Sequence, residues 1–575
     1  MVSEKGVDLK AVTLLLLVAS SAFAGYIAPE LQHELQLAGE NELVPVFVVV
    51  QGSVDESWLS SVTSGMTPEA RQSFAVDALQ TVAEASQAGI LEYIGQLPQS
   101  SYSDLESLWL ANAIYCRASR EFVESVVALD GVIVVESARD PDAGLIEPVE
   151  VRPLTAEERD KAIVWGVTQI NADDVWGLGY DGTGVIVGVI DTGTDYNHVD
   201  LAFNMWHDTP AGLHYGWDFY DGDGDPMDDY GHGTHVSGTV CGDGTGGTQT
   251  GVAPGATCMA LRINYYSGGE STWIQAMQWG ASHGARVLTM SLGSTHGNTA
   301  LRTAEQNLLT AGVFHSVAAG NSGPGAGTIL SSGDSPPPWF HPDQTYHGGQ
   351  SAVVTCGATD NTDTIASFSS RGPVTWWTDY TSANPLIDPD ISAPGVNVVS
   401  TQWTGGYTTM SGTSMATPHV AGVAALMLDA NTNLTVAQID QIMETTALPL
   451  PPTGKDNTSG AGRIDALAAV QAAIGVGISQ GAGTVPAPGI AVSAVTPNPV
   501  TGFATFELYS AESGRGDVAI YDLTGRRVAG IASGEISSGT SAYVWTVPDG
   551  IGNGIYFVRC SVDGISATAR MTILR

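Results

Sequence analysis

Gly412-Thr413-Ser414-Met415-Ala416-Thr417-Pro418-His419-Val420-Ala421-Gly422 sets one hydroxyl among small residues, at the head of an Ala/Val/Leu-rich run. The run reads as a buried helix. Ser414 therefore stands in the positive field of a helix N-terminus, where its own backbone N–H can face a developing oxyanion. A serine used as a nucleophile on an amide also needs a base, a group that orients the base and a second oxyanion donor.

Each of these has a candidate elsewhere in the chain. Asp191, in Val189-Ile190-Asp191-Thr192-Gly193, ends a fully apolar strand, where a partly buried carboxylate can fix the tautomer of an imidazole. His232 lies in Gly231-His232-Gly233-Thr234-His235, whose glycines let a helix begin tight against a sheet. The His-x-x-His pair could also suggest a metal site, but a zinc peptidase needs His-Glu-x-x-His, and here only Gly233 and Thr234 fill the middle. Asn321, in Ala318-Ala319-Gly320-Asn321-Ser322-Gly323-Pro324, follows an apolar strand and can supply an amide N–H₂ to the oxyanion.

Between about 160 and 475, short apolar strands (Val185 to Ile190, Met259 to Ile263, Arg286 to Met290, Val313 to Ala318) alternate with longer helical runs. That order predicts an α/β domain with a parallel sheet, its chemistry gathered beyond the carboxyl ends of the strands. The four segments together resemble the subtilisin-like serine peptidases, the subtilases, with the family's Asp, His, Ser order along the chain. The resemblance implies Asp191 as orienting acid, His232 as general base and acid, Ser414 as nucleophile and Asn321 as oxyanion donor. It also implies two substrate-binding edges, Ser291-Leu292-Gly293 on one side and Gly268-Gly269 on the other. An extended peptide would pair with them through its backbone, a mode that reads side chains weakly and gives broad specificity. The insertion from Gly325 to Gln350 is expected to border the cleft.

Subtilases often carry structural calcium, and the resemblance points to Asp200 as a ligand. A second candidate is the loop Asp221-Gly222-Asp223-Gly224-Asp225-Pro226-Met227-Asp228-Asp229, whose crowded carboxylates would repel one another without a cation or water between them. Asp221, Asp223 and Asp225 are its expected ligands. The glutamine ligand that the family brings to the Asp200 site falls on Lys161, which cannot serve.

Across its 575 residues the chain has Lys+Arg 21 against Asp+Glu 60, a formal charge of −39 that disfavours nucleic acid and anionic lipid as partners. The five cysteines are too few for a disulfide scaffold and read as small buried hydrophobes. Lys5 and Lys10, the apolar run Ala11 to Ala19 and Ala22-Phe23-Ala24 read as a secretory signal over 1–24, too short to span a bilayer. Residues 25–145 read as an α+β unit, with strands at Val44 to Val50, Leu108 to Arg117 and Gly131 to Glu136 and a helix start at Thr67-Pro68-Glu69. This unit resembles the inhibitory propeptide of subtilases. A Gly/Ser/Pro/Ala-rich linker over 476–490 leads to 491–575, whose alternating runs predict a β-sandwich. That last region resembles type IX secretion sorting domains and flagellar-hook-type Ig-like domains alike.

The expectation is thus a secreted or cell-surface serine endopeptidase acting on protein or peptide substrates. It would have its own propeptide as intramolecular inhibitor, no transmembrane span, and secretion machinery or the cell surface as further partners. The alternative is a catalytically silent surface-binding protein that keeps the fold.

Overall fold

The computed structural model describes residues 25–39, 42–139, 143–159, 161–263, 269–295, 297–480, 490–492, 500, 502–510, 513–522, 526–548, 550–552, 554–562 and 565–573. The expected signal over 1–24 and Gly268 lie outside the described residues. The chain forms two compact units, Met1–Val470 and Gln471–Arg575.

The first unit opens with a five-stranded sheet in the order Tyr26–Ile27, Val132–Ser137, Val44–Val50, Ala113–Ala118, Tyr102–Leu108. Val44–Val50 is the middle strand, and six of its seven residues are buried, which accounts for the β-branched and aromatic character of all but Pro45. The long helix Pro68–Ile94 starts as its sequence predicts, with the Thr67 hydroxyl accepting from Ala70 N at 3.3 Å and Pro68 in the first turn. One expectation is corrected. Leu108 to Arg117 is not a single strand but the end of Tyr102–Leu108, a turn, and Ala113–Ala118. Asn112 makes that turn at φ 41°, with its side-chain amide donating to Val50 O at 3.1 Å.

The second sheet of this unit has seven strands in the order Gly216–Asp218, Thr257–Arg262, Ile186–Asp191, Val287–Met290, Phe314–Ala318, Val353–Thr359, Ile391–Pro394. All six pairings are parallel, as the strand–helix alternation requires. The winding reverses between Ile186–Asp191 and Val287–Met290, which opens a crevice at the carboxyl ends of those two strands. Two helices begin beside it, His232–Cys241 and Thr413–Ala430, and they pack against each other.

The N-terminal layer docks on the helices Glu270–Ser282 and Thr299–Ala311 through groups that complete helix ends. Gln72 Nε2 donates to Ala281 O at 3.0 Å and Ala285 O at 2.8 Å, at the C-terminal end of the first. Glu136 accepts from Thr299 N at 3.1 Å and Ala300 N at 2.8 Å, at the N-terminal end of the second. A carboxylate at the positive end of a helix and a donor at the negative end are the favoured polarities.

The second unit holds a three-stranded and a four-stranded antiparallel sheet over one apolar core that includes Phe506, Leu508, Ile520, Val558 and Ile573. All five cysteines of the chain are buried and free.

Candidate active site

Asp191 is the last residue of its strand, and Gly233 lets the His232 helix close on it. A Cβ at Gly233 would lie 2.1 Å from Gly193 O and 3.1 Å from the Asp191 side chain, so only glycine permits this approach. Gly233 N donates to Thr192 Oγ1 at 2.8 Å, and Gly231 turns the chain into the helix at φ 105°. His232 Nδ1 lies 2.8 Å from Asp191 Oδ1, with both side chains 1% exposed. Burial alone would lower the imidazole pKa, but the Asp191 charge and hydrogen bond outweigh it and hold the pKa above 6.5.

Asp228, which the sequence reading placed only within the candidate calcium loop, organises this corner. Its Oδ1 accepts from Tyr230 N and Gly231 N, both at 2.9 Å, and its Oδ2 accepts from Thr234 N at 2.9 Å and from the Thr234 hydroxyl at 2.5 Å. The Thr192 hydroxyl also reaches Asp228 Oδ1 at 2.9 Å. One buried carboxylate thereby caps the His232 helix and ties it to the turn after Asp191. The available signal was an acid four residues before the histidine.

Ser414 is fully buried in the first turn of its helix. Pro418, four residues on, has no N–H for the Ser414 carbonyl, and the Ser291 hydroxyl donates to that oxygen instead, at 3.1 Å. Asn321 Oδ1 accepts from Thr413 N at 2.9 Å and from the Thr413 hydroxyl at 3.0 Å. That fixes which end of the amide faces the crevice, and the Nδ2 group points into it.

The chain's own segment after the N-terminal layer fills the crevice. Gly144–Leu145 pairs antiparallel with Leu292–Gly293, and Ile146 N donates to Ser291 O at 3.1 Å. Ser414 Oγ donates to Ile146 O at 2.7 Å, and Asn321 Nδ2 donates to the next carbonyl, Glu147 O, at 2.9 Å. Beyond it Val149 N donates to Ser411 O at 2.7 Å, and Glu150–Arg152 adds a strand to Tyr407–Ser411. Among the described residues the buried His232 Nε2 has no hydrogen-bond partner, since the serine hydroxyl donates to Ile146 O.

Of the two expected substrate edges, Ser291, Leu292 and Gly293 carry the backbone pairing. Gly269 instead opens the helix Glu270–Ser282, its carbonyl taken by Thr272 N at 2.7 Å and Trp273 N at 3.1 Å. His235 turns away from His232 and reaches Val398 O at 3.1 Å.

The expected calcium ligands have other partners. The Tyr407 hydroxyl donates to Asp200 Oδ2 at 2.7 Å, and Gly246 N donates to its Oδ1. In the acidic loop the Arg262 guanidinium contacts Asp218, Asp221 at 3.1 Å and Asp229 at 2.9 Å. Asp223 accepts from Asp225 N at 2.9 Å, and Asp225 accepts from the Tyr196 hydroxyl at 2.7 Å. Among the described residues no three Asp, Glu, His or Cys side chains are grouped as a metal site. Arg262 thus brings a positive charge to Asp218, Asp221 and Asp229, and Tyr407 gives Asp200 a neutral donor.

Residues 182–462 match the sequence profile of the subtilase family. The chain is 33% identical over 355 residues to subtilisin E of Bacillus subtilis (strain 168), covering 61% of this chain and 82% of that protein. It is 35% identical over 314 residues to subtilisin DY of Bacillus licheniformis, covering 54% of this chain and 100% of that protein. Similarity to bacillopeptidase F of Bacillus subtilis (strain 168) extends further along this chain, 30% over 478 residues or 75% of it, but spans 31% of that longer protein.

Proposed function

The chain belongs to the subtilase family and its catalytic domain is that of a serine-type endopeptidase; from that premise we propose that it is an exported zymogen that cuts itself between Ile146 and Glu147. The observation that carries this reading is the 2.7 Å hydrogen bond from Ser414 Oγ to Ile146 O, in a segment threaded through the crevice as a substrate would be.

In this reading Ser414 gives its proton to the free Nε2 of His232, and Asp191 stabilises the resulting imidazolium. Oγ attacks the Ile146 carbonyl carbon, and the oxyanion is held by Asn321 Nδ2 and the Ser414 N–H. His232 then protonates the Glu147 nitrogen as the peptide bond breaks, and water opens the Ile146 acyl-enzyme. Before attack the Ile146 carbonyl must turn from the serine proton toward Asn321, which now holds the Glu147 carbonyl.

Residues 25–146 then act as an inhibitor that leaves its C-terminal tail in the crevice. The Gln72 and Glu136 contacts with helix ends support this role. Backbone pairing along Leu292–Gly293 supports a wide range of protein substrates. The two antiparallel sheets of the second unit support a β-sandwich for sorting or surface attachment. No helix among the described residues is long and apolar enough to cross a membrane.

The test is the N-terminus of the secreted active enzyme. Glu147 is expected, and Ser414→Ala should accumulate uncut. A first residue of Pro148 would move the cut by one bond, and full-length active enzyme would end the zymogen reading. A fluorophosphonate probe should label Ser414; absence of labelling in the processed protein would favour the silent binding protein.

A further inference from the structure

Ile146, whose carbonyl touches the nucleophile, is 5% exposed, so its side chain occupies a slot. One wall of the slot is Gly293: a Cβ built there would lie 3.2 Å from Ile146 Cδ1. The same Cβ would lie 2.9 Å from both Cβ and Cδ1 of Leu330, so the two side chains meet the same patch of backbone. Leu330 also lies against Gly320, next to Asn321, where a Cβ would come 2.9 Å from its Cγ and 3.0 Å from its Cδ1. The Leu330 side chain therefore bridges the two backbone segments that flank the slot.

Leu330 belongs to the insertion, and backbone hydrogen bonds hold it from both sides. Leu330 N donates to Ala319 O at 3.1 Å. Ser331 exchanges hydrogen bonds of 2.9 and 2.8 Å with Ser294, just past Gly293. Behind Leu330 lies a cavity of about 930 Å³ lined by Leu330, Ile329, Thr328, Thr295 and Trp376, with its far side formed by the N-terminal layer. Ile146 does not line that cavity. Leu330 thus stands between a short slot and a large space.

We propose that Leu330 is the specificity-determining floor of the pocket for the residue on the acyl side of the cut, selecting Val, Ile and Leu and excluding aromatic side chains. This rests on reading Ile146 as the acyl-side residue. The insertion converts what would be a deep cleft, able to take a ring, into a shallow apolar one. A leucine floor offers no partner to a charged side chain, so Glu and Lys are disfavoured as well.

The test uses processed enzyme, with active sites counted by a fluorophosphonate titrant, on peptides that differ only in the residue before the cut: Ala, Val, Ile, Leu, Phe, Glu. Wild type should favour the aliphatic residues. Leu330→Ala should raise the Phe-to-Val ratio of kcat/KM at least about 10-fold, the scale on which one or two carbons in a pocket discriminate. Leu330→Phe should fill the slot and move the preference to Ala. The inference is overturned if wild type favours Phe, or if both variants titrate fully and keep the wild-type profile. If Leu330→Ala yields no titratable enzyme, Leu330→Phe alone decides. A wild-type preference for Glu, with a mature N-terminus at Pro148, would instead overturn the choice of Ile146. The N-terminus and the Leu330 profiles therefore fail separately.

Discussion

His232 and Asp191 meet at 2.8 Å with 1% of each side chain exposed, so the Asp191 carboxylate faces the imidazole in a site closed to water while the chain's own segment fills the crevice. In such a site its charge acts with little screening, and it outweighs the burial that would otherwise make the imidazole harder to protonate.

A base works only when unprotonated, and the His232 pKa is raised. The rate of self-cleavage, which starts from this buried state, should therefore fall as pH drops through a value above the ordinary imidazole one. In Asp191→Asn the main opposition to burial is lost, so the acid limb should move to lower pH while the rate drops by about 10⁴-fold. The pH profile of the self-cleavage rate for both proteins checks this. Coincident acid limbs would refute the role given to Asp191.

Asn321 is aimed by Thr413 and donates into the crevice at 2.9 Å. Asn321→Leu keeps its bulk and removes the donor. It should lower kcat by about 10²–10³-fold, as loss of one oxyanion donor does, with little change in KM. An equal loss carried by KM alone would mean that the amide binds substrate and does not stabilise the oxyanion.

Lys455 is buried with its Nζ 2.7 Å from Asp390 Oδ1 and 2.8 Å from Glu444 Oε1, and Asp388 and Asp440 lie in the same buried cluster. Burial pushes Glu444 up to about 7, and Asp388 and Asp440 well above their ordinary value. Acids raised in the fold give stability that is full below the unfolded value and is lost as pH rises through the folded one. Stability should therefore decline between about pH 4.5 and 7, and Asp440→Asn should flatten that decline. Lys455→Met, which leaves carboxylates unpaired, should cost about 3–5 kcal/mol at neutral pH. Denaturant midpoints from pH 4.5 to 8 in Ser414→Ala, which cannot digest itself, provide the measurement.

The Tyr407 hydroxyl and Arg262 stand where cations were expected. A chelator should therefore leave the melting temperature of Ser414→Ala unchanged, whereas Tyr407→Phe should destabilise by about 1–3 kcal/mol through the unpaired Asp200 oxygen. A chelator-induced drop in melting temperature would refute this and return Asp200 and the acidic loop as calcium ligands.

The limits of the sequence reading follow from particular residues. The turn at Trp109-Leu110-Ala111-Asn112 reads as strand because its first three residues are apolar. Leu110 and Ala111 are fully buried, and Leu110 meets the helices beneath it through Gln278 at 3.0 Å and Asn307 at 2.6 Å. A turn that lies in an interface loses the polar marking by which turns are recognised. The acidic loop misled in a similar way, because carboxylates close in sequence resemble a cation site until Arg262 arrives from another strand.

Sequence alone determined the parallel α/β sheet and singled out Asp191, His232, Ser414 and Asn321, because each sits in a short string whose glycines and proline have local backbone consequences. Gly231 and Gly233 start the His232 helix, and Pro418 frees the Ser414 carbonyl. Tertiary structure alone decided which carbonyl the Ser414 hydroxyl reaches, which groups face the acids and where Leu330 packs. Those outcomes depend on contacts between distant positions, such as Ser414 with Ile146, 268 residues apart, which local periodicity and propensity do not encode.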